Sequence, residues 1–172
     1  GYVSSNEVLN FDASYQGQDV ETVVLKAVKK NQPTTMEITK SDITTGTELD
    51  GASLKVLDKD GNVVDEWTST EESHVIKELV VGNEYTMTET KPADGYVTAE
   101  SITFTVENTA EIQKHEMKDD VTKVQISKTD ITGDTEIPGA KLTILDKDDQ
   151  VVESWTSTEE AHYIEKLPIG RY

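Results

Sequence analysis

The chain contains a long internal repeat. Lys40 aligns with Lys128, a spacing of 128 − 40 = 88 residues, and the alignment runs without gaps over residues 40–82 and 128–170. More than half of the aligned positions are identical, including the run Trp-Thr-Ser-Thr-Glu-Glu in both copies. Solenoid repeats are shorter, about 20–50 residues, whereas a unit of this length is the size of an independent domain. The sequence therefore predicts domains in tandem.

The repeat also predicts where the modules begin and end. Gly1-Tyr2-Val3 matches Gly95-Tyr96-Val97, which places residues 1–33 at the end of a preceding module. Residues 34–120 then form one complete module, and residues 121–172 form the front of the next. The first tail is six residues longer than its counterpart, and we assign the excess to a turn at Ala13–Asp19.

Each module has the pattern of a β-sandwich. Apolar and polar residues alternate with period two, as in Met36–Lys40, and Asp58–Asn62 is a turn between two apolar runs, which is typical of a hairpin. No stretch shows convincing helical periodicity. The sequence predicts all-β, Ig-like sandwich modules in tandem, with strands in the complete module at 36–40, 53–57, 63–67, 75–76, 85–89, 102–106 and 112–118.

Charge and composition exclude several classes of partner. The formal net charge is −18, and a field of that sign repels the phosphates of nucleic acids and of anionic membranes. The acidic residues are spread along the chain, which favours a solvated surface over a site for cations or basic partners. There is no cysteine, so small extracellular modules would need a sufficient core or another covalent link.

The sequence predicts neither a metal site, nor a cofactor, nor an enzyme. Asp58–Asn62 resembles the start of a calcium loop, but Ser69 stands where such a loop needs its glutamate. The histidines are isolated, and no metal-ligand spacing or nucleophile–base pair is present. We interpret Trp67 and its equivalent Trp155 as anchors in the core or at a strand end.

One set of charged residues has the spacing of a buried site. Lys40 lies in the first strand on the same face as Ile38, and Glu89 shares a face with Tyr85 and Met87 in the fifth. Asp119 follows Met117 in the last strand. A lysine that points into a core is costly unless it is neutral or paired. Three exposed charges, or an ordinary salt bridge, are the alternative interpretation of this spacing.

The complete module resembles a known family. The segments ITKSD, LDGASLKVLDKDG, YTMTETKPADGYV and MKDD follow one another in it. This pattern resembles the collagen-adhesin B-type domains, also called SpaA-type pilin domains, which are prealbumin-like sandwiches of Gram-positive surface proteins. The resemblance covers residues 34–120 and, in truncated form, both flanks. Pro92 stands one place earlier than is usual in the family.

The resemblance implies a covalent cross-link. In this family a lysine of the first strand forms a spontaneous isopeptide bond with an Asn or Asp of the last strand, assisted by a Glu or Asp. The matching residues are Lys40 as donor, Asp119 as acceptor and Glu89 as proton shuttle, with Asp120 as the alternative acceptor. Burial favours a neutral Lys40 amine and a protonated Glu89 that polarises the Asp119 carbonyl, and closing so long a loop would stabilise the module by about 4–5 kcal/mol. The reaction would occur once per molecule, without turnover.

The flanks contain only parts of such a site. Asn31 matches the acceptor of the preceding module and Lys128 matches the donor of the next. Residues 121–172 of one chain could therefore join residues 1–33 of another head to tail, covering strand edges that would otherwise be exposed. Light scattering tests this hypothesis, and a monomer mass that does not change with concentration would exclude it.

These observations favour a structural function. The leading hypothesis is a stalk or shaft repeat of a Gram-positive adhesin or pilin, extracellular and attached to the cell wall, with neighbouring modules as its partners. The alternative is an adhesin module that binds a host matrix protein or glycan directly. The near-identical loops of the two copies argue against it, since recognition loops tend to diverge. An engineered ligation pair would explain the incomplete flanks but not the intact middle module.

Overall fold

Every regular element that the structure describes is a β-strand. The computed structural model describes residues 1–10 and 28–172, so the predicted turn at Ala13–Asp19 lies outside the described residues. Among them, no helix is long and apolar enough to cross a membrane. The strands in chain order are β1 Thr35–Asp42, β2 Ser53–Asp58, β3 Val63–Thr68, β4 His74–Lys77, β5 Glu84–Lys91, β6 Ile102–Thr105, β7 Ile112–Asp119, β8 Lys123–Ile126, β9 Lys141–Leu145, β10 Val151–Thr156 and β11 His162–Glu165.

Strands β1–β7 form the central module, which contains two sheets. One sheet has the order β4-β1-β7 and the other has the order β3-β2-β5-β6. All neighbouring strands are antiparallel except β1 and β7, which run parallel from Thr35 opposite Ile112 to Asp42 opposite Asp119. The first and last strands of the module therefore lie side by side and point the same way.

The core of the central module follows from the period-two pattern. Alternate residues of β5, and of β1 as far as Lys40, are buried, because successive side chains of a strand point to opposite faces of its sheet. Buried side chains from both sheets form one hydrophobic cluster. Its largest fully buried members are Met36, Ile38, Leu54, Val56, Met87, Val106 and Met117.

The acidic loop between β2 and β3 is a turn. One carboxylate oxygen of Asp58 accepts hydrogen bonds from the backbone N–H groups of Asp60 and Asn62, both at 2.9 Å. Gly61 has a φ of 82°, and Asp149 has a φ of 58° at the equivalent position of the repeat. Aspartate is among the residues that tolerate this left-handed conformation. Turn geometry therefore accounts for these acidic residues.

Strands β8–β11 form the second module, and they pair in the same way as strands β1–β4 of the central module. Val124 lies opposite Ile164 in the β8–β11 pair, as Met36 lies opposite Ile76 in the β1–β4 pair. β9 pairs with β10, as β2 pairs with β3. The repeat in the sequence is thus a repeat in backbone pairing, and the predicted fold class, tandem all-β sandwich modules, is confirmed.

Replacement of Leu54 by alanine tests the assignment of the core. Leu54 is fully buried, so Leu54→Ala should lower the free energy of unfolding by about 2–5 kcal/mol, because a cavity adds to the lost transfer energy. Urea unfolding followed by circular dichroism measures this change. Val75 on β4 is 48% exposed, and the control Val75→Ala should change the free energy by less than about 0.5 kcal/mol. Equal losses in both variants would contradict the burial pattern.

Candidate functional site

Three strands bring one amine and two carboxyl groups together inside the central module. Lys40 on β1 lies opposite Met117 of the parallel strand β7, and Asp119 follows two residues later on the same face. The Lys40 Nζ consequently contacts Asp119 Oδ1. Glu89 reaches the same amine from β5 in the opposite sheet, with its Oε1 3.0 Å from Nζ. The three residues that the sequence singles out therefore lie side by side in the structure.

All three groups are withdrawn from water. The residues Lys40, Glu89 and Asp119 are 2%, 4% and 0% exposed, so they are not surface charges. Taking an ion pair out of water costs several kcal/mol per ion, and the mutual attraction repays this only with good geometry. Met117 opposite Lys40 and Leu54 opposite Glu89 are fully buried apolar neighbours. The cluster therefore lies in a dry, apolar part of the core.

The Asp119 carboxyl has an altered proton affinity. Burial raises its pKa to about 6, while the hydrogen bond and the charge of Lys40 oppose this rise and Glu89 adds to it. Its second oxygen, Oδ2, is buried and has no hydrogen-bond partner among the described residues. A buried polar atom left without a partner costs free energy and often marks a site with a chemical role.

Glu89 is held in place by the backbone of a neighbouring loop. Its Oε2 accepts a hydrogen bond of 2.7 Å from the Ala99 N–H, while Oε1 faces the Lys40 amine. One oxygen is thus fixed by the backbone and the other is directed at the Lys40 amine. An amine that contacts one carboxyl and lies close to a second, with all three groups shielded from bulk solvent, is an arrangement in which an amide can form.

Asp120, the alternative acceptor, lies outside the cluster. Its side chain is 51% exposed and pairs with Lys123 at 3.0 Å. It also accepts a hydrogen bond from the Val121 N–H. The geometry therefore favours Asp119 over its neighbour.

Asn31 and Lys128, the candidate residues outside the central module, have different surroundings. Asn31 is exposed in the segment that precedes β1. Lys128 is half-buried, and its backbone N–H donates to the Glu136 carboxylate at 2.9 Å. The Lys40 N–H donates to Glu48 in the same way, at 3.1 Å. Within one chain no hydrogen bond or ion pair joins Asn31 to Lys128 in the described residues.

Sequence reasoning missed several residues that support the donor strand. Glu48 and Glu136 were detectable, because they are equivalent positions of the repeat, each eight residues after the donor lysine. Asp42 at the end of β1 is buried and accepts a hydrogen bond of 2.9 Å from the Tyr96 hydroxyl. Nothing in its spacing marks this pair, since the two residues are distant in the sequence.

The histidine and tryptophan rings stack on other aromatic rings. The Trp67 and His74 rings stack with centroids 4.2 Å apart, and Trp155 and His162 repeat this arrangement at 4.3 Å. His115 stacks on a buried phenylalanine of β6. No group of three or more potential metal ligands occurs among the residues described.

Comparison with known proteins identifies the fold family. A family model described as SpaA, a prealbumin-like fold domain, matches residues 34–121 and again residues 122–172. No curated protein matches the chain.

The chain is also similar to several solved structures, of which three follow. The Bacillus anthracis TIE protein is 28% identical with a TM-score of 0.54, over 81% of this chain and 28% of that one. BcpA, the major pilin subunit of Bacillus cereus, is 22% identical with a TM-score of 0.49, over 55% and 31%. The group B streptococcus pilus 2b backbone protein is 18% identical with a TM-score of 0.43, over 51% and 41%. The chain thus spans less than half the length of each.

The two consecutive matches of the family model cover well over half of the sequence. The chain belongs to the SpaA family of prealbumin-like fold domains.

Proposed function

We propose that this chain is part of the stalk or shaft of a Gram-positive adhesin or pilin, and that its complete module is stabilised by a self-formed isopeptide bond between Lys40 and Asp119. The observation that carries the proposal is the buried contact of the Lys40 amine with the Asp119 carboxyl, with Glu89 3.0 Å away. Membership of the SpaA family supports the structural part of the function.

The proposed reaction is a condensation. The neutral Lys40 Nζ attacks the Asp119 carboxyl carbon, and Glu89 accepts a proton from the nitrogen. Glu89 then gives that proton to the departing hydroxyl, so that one water leaves and one amide remains. The raised pKa of Asp119 favours the protonated carboxyl, which is the more electrophilic form. Because the product is permanent, the residues react once and the protein is not an enzyme.

The position of the bond suits a mechanical function. A chain under tension would pull on the start of β1 and on the end of β7, which are parallel neighbours. A bond from Lys40 to Asp119 would carry the load from β1 directly into the exit of the module. Residues 41–118 would then bear little of it. The same bond would constrain the unfolded chain as a disulfide does.

The proposal extends to location and partners. The protein would be extracellular and attached to the cell wall, with neighbouring modules of the same protein as its principal partners. A host matrix ligand and head-to-tail self-association through residues 1–33 and 121–172 are further proposals about partners. Self-association would bring Lys128 of one chain next to Asn31 of another without a covalent bond, because a helper glutamate is missing from that pair.

Intact-mass measurement tests the bond. The wild-type chain should be lighter than its sequence mass by one water, about 18 Da, and Asp119→Asn should lose ammonia instead, about 17 Da, because the amine displaces a different leaving group. Lys40→Ala should keep its full mass. Glu89→Ala should keep it too, or react far more slowly, because the proton shuttle is missing.

The matched control for this measurement is Lys128→Ala. Lys128 occupies the position of Lys40 in the second module, so this variant should still lose one water. A wild-type chain of full mass would refute the bond. If Lys128→Ala kept its full mass, the bond would involve Lys128 and the assignment to Lys40 would be wrong.

The stability of a variant that cannot form the bond should fall as the pH rises. In Lys40→Ala, Asp119 keeps the burial that raises its pKa to about 6 and loses the cation that lowers it. A carboxyl whose pKa is higher in the folded than in the unfolded chain stabilises the fold fully at a pH below its unfolded pKa. This contribution to stability is lost as the pH rises through the pKa of the folded chain. Two pKa units correspond to on the order of 3 kcal/mol.

Urea unfolding at about pH 4 and about pH 8 measures this effect. Lys40→Ala should lose stability over this interval relative to the double variant Lys40→Ala/Asp119→Asn, in which the carboxyl is absent and the covalent state is the same. Equal pH dependence in the two variants would show that Asp119 is not a buried carboxyl in the unbonded module.

A further inference from the structure

We propose that consecutive modules are held in a fixed relative orientation by a joint that recurs along the chain, in which a Gly-Tyr pair near the end of one module docks on a turn of the next. This inference rests on the proposed stalk function. At the joint between the central and second modules, the pair is Gly95-Tyr96 and the turn is Lys166-Leu167. Thr122, just before β8, connects the two.

Thr122 is the centre of this joint. Its N–H donates to the Gly95 carbonyl at 2.9 Å, and its hydroxyl donates to the Leu167 carbonyl at 2.6 Å. Its own carbonyl accepts a hydrogen bond of 3.0 Å from the Lys166 N–H. One residue therefore binds the backbone on both sides of the boundary.

The same contacts occur at the other end of the central module. The Thr34 N–H donates to Gly1 at 3.2 Å, the Thr34 hydroxyl donates to Leu79 at 2.7 Å, and the Thr34 carbonyl accepts from Glu78 at 3.0 Å. Tyr2 forms an antiparallel bridge with Pro33, as Tyr96 does with Val121. Because Thr34 and Glu78 precede Thr122 and Lys166 by one period of the repeat, the joint recurs with the modules.

Side chains make the joint between the central and second modules specific. The Lys166 amine lies 5.1 Å from the centre of the Tyr96 ring and 3.5 Å from Asp42 Oδ2. Asp42 is buried and also accepts the Tyr96 hydroxyl, so a cation of the second module faces a carboxylate of the central one. At the first joint the equivalent residue is Glu78, which instead accepts a hydrogen bond of 2.8 Å from the Tyr2 hydroxyl. Both tyrosine hydroxyls therefore donate to a carboxylate, but the residue of the docked turn is the cation Lys166 at one joint and the anion Glu78 at the other.

Gly95 is required by the close approach of the two modules. It has a φ of 86°, and a Cβ atom at this position would lie 2.6 Å from the Lys166 carbonyl oxygen. That distance is far too short, and the neighbour is backbone, which cannot rotate away. Gly61 in the β2–β3 turn has a similar φ of 82° but no atom within 4 Å of such a Cβ. Alanine therefore strains the backbone at both positions but disrupts the joint only at Gly95.

Distance measurements between the modules in the full chain test the joint. The chain has no cysteine, so spin labels can be placed at Val64→Cys and Val152→Cys, equivalent exposed positions of β3 and β10. Electron spin resonance should give a single narrow distance distribution. Gly95→Ala should broaden or shift it, whereas Gly61→Ala should leave it unchanged.

Charge reversal provides a second test. Lys166→Glu places a carboxylate beside Asp42 and should broaden the distribution, with a stronger effect at low salt. Lys147→Glu makes the same charge change at an exposed turn away from the joint and should have no effect. A broad distribution in the unmodified chain, or equal effects of each variant and its control, would overturn the proposal.

Intact mass separates failure of the joint from failure of the proposed function. Gly95→Ala and Lys166→Glu should still lose one water, since Lys40, Glu89 and Asp119 all lie within the central module. A variant that has lost its narrow distribution but keeps this mass change has a folded module and a broken joint. If no chain loses water while the distances stay narrow, the joint stands and the bond does not.

Discussion

The contact of one amine with two carboxyl groups in a dry core is the interaction on which the rest of the structure depends. Lys40, Glu89 and Asp119 come from three strands and both sheets, so the sandwich must close before they meet. Left as ions, two carboxylates and one ammonium would burden the core, because removal from water is costly and one carboxylate lacks a counterion. The proposed condensation to an amide would remove one positive and one negative charge and would leave Glu89 with its backbone partner, the Ala99 N–H. It would let the core retain polar residues that otherwise weaken it.

Parallel pairing of the first and last strands is what would let the proposed bond carry mechanical load. Because β1 and β7 point the same way, tension on the module shears them along their whole length. The Lys40–Asp119 contact lies near the end of that shared length, and Thr122 lies only three residues beyond Asp119. The proposed covalent link and the proposed inter-module joint are thus adjacent in the chain. Load leaving one module would enter the next through a short segment held by hydrogen bonds on both sides.

Much of the fold could be predicted from the sequence, because the repeat and the period-two pattern are local signals. The hairpin at Asp58–Asn62 and the inward face shared by Ile38 and Lys40 follow from spacing alone. The sequence predicts the first strand at 36–40, and its extension to Asp42 could not be predicted, since the Tyr96 hydroxyl that binds this residue is distant in the sequence. The role of Lys166 was equally hidden, because it depends on how two modules meet. Resemblance supplied the roles of the three buried residues, for which spacing alone left an ordinary salt bridge open.

Single-molecule force spectroscopy on the full chain tests the central claim most directly. If Lys40 is bonded to Asp119, residues between them cannot extend, and pulling the central module should release only the few residues outside that loop. Lys40→Ala should instead show an unfolding event longer by the enclosed segment, roughly 250–280 Å at about 3.3–3.6 Å per residue. The account predicts that the wild-type chain never shows this long event. Its regular appearance in the wild-type chain would contradict the claim that the module is covalently closed.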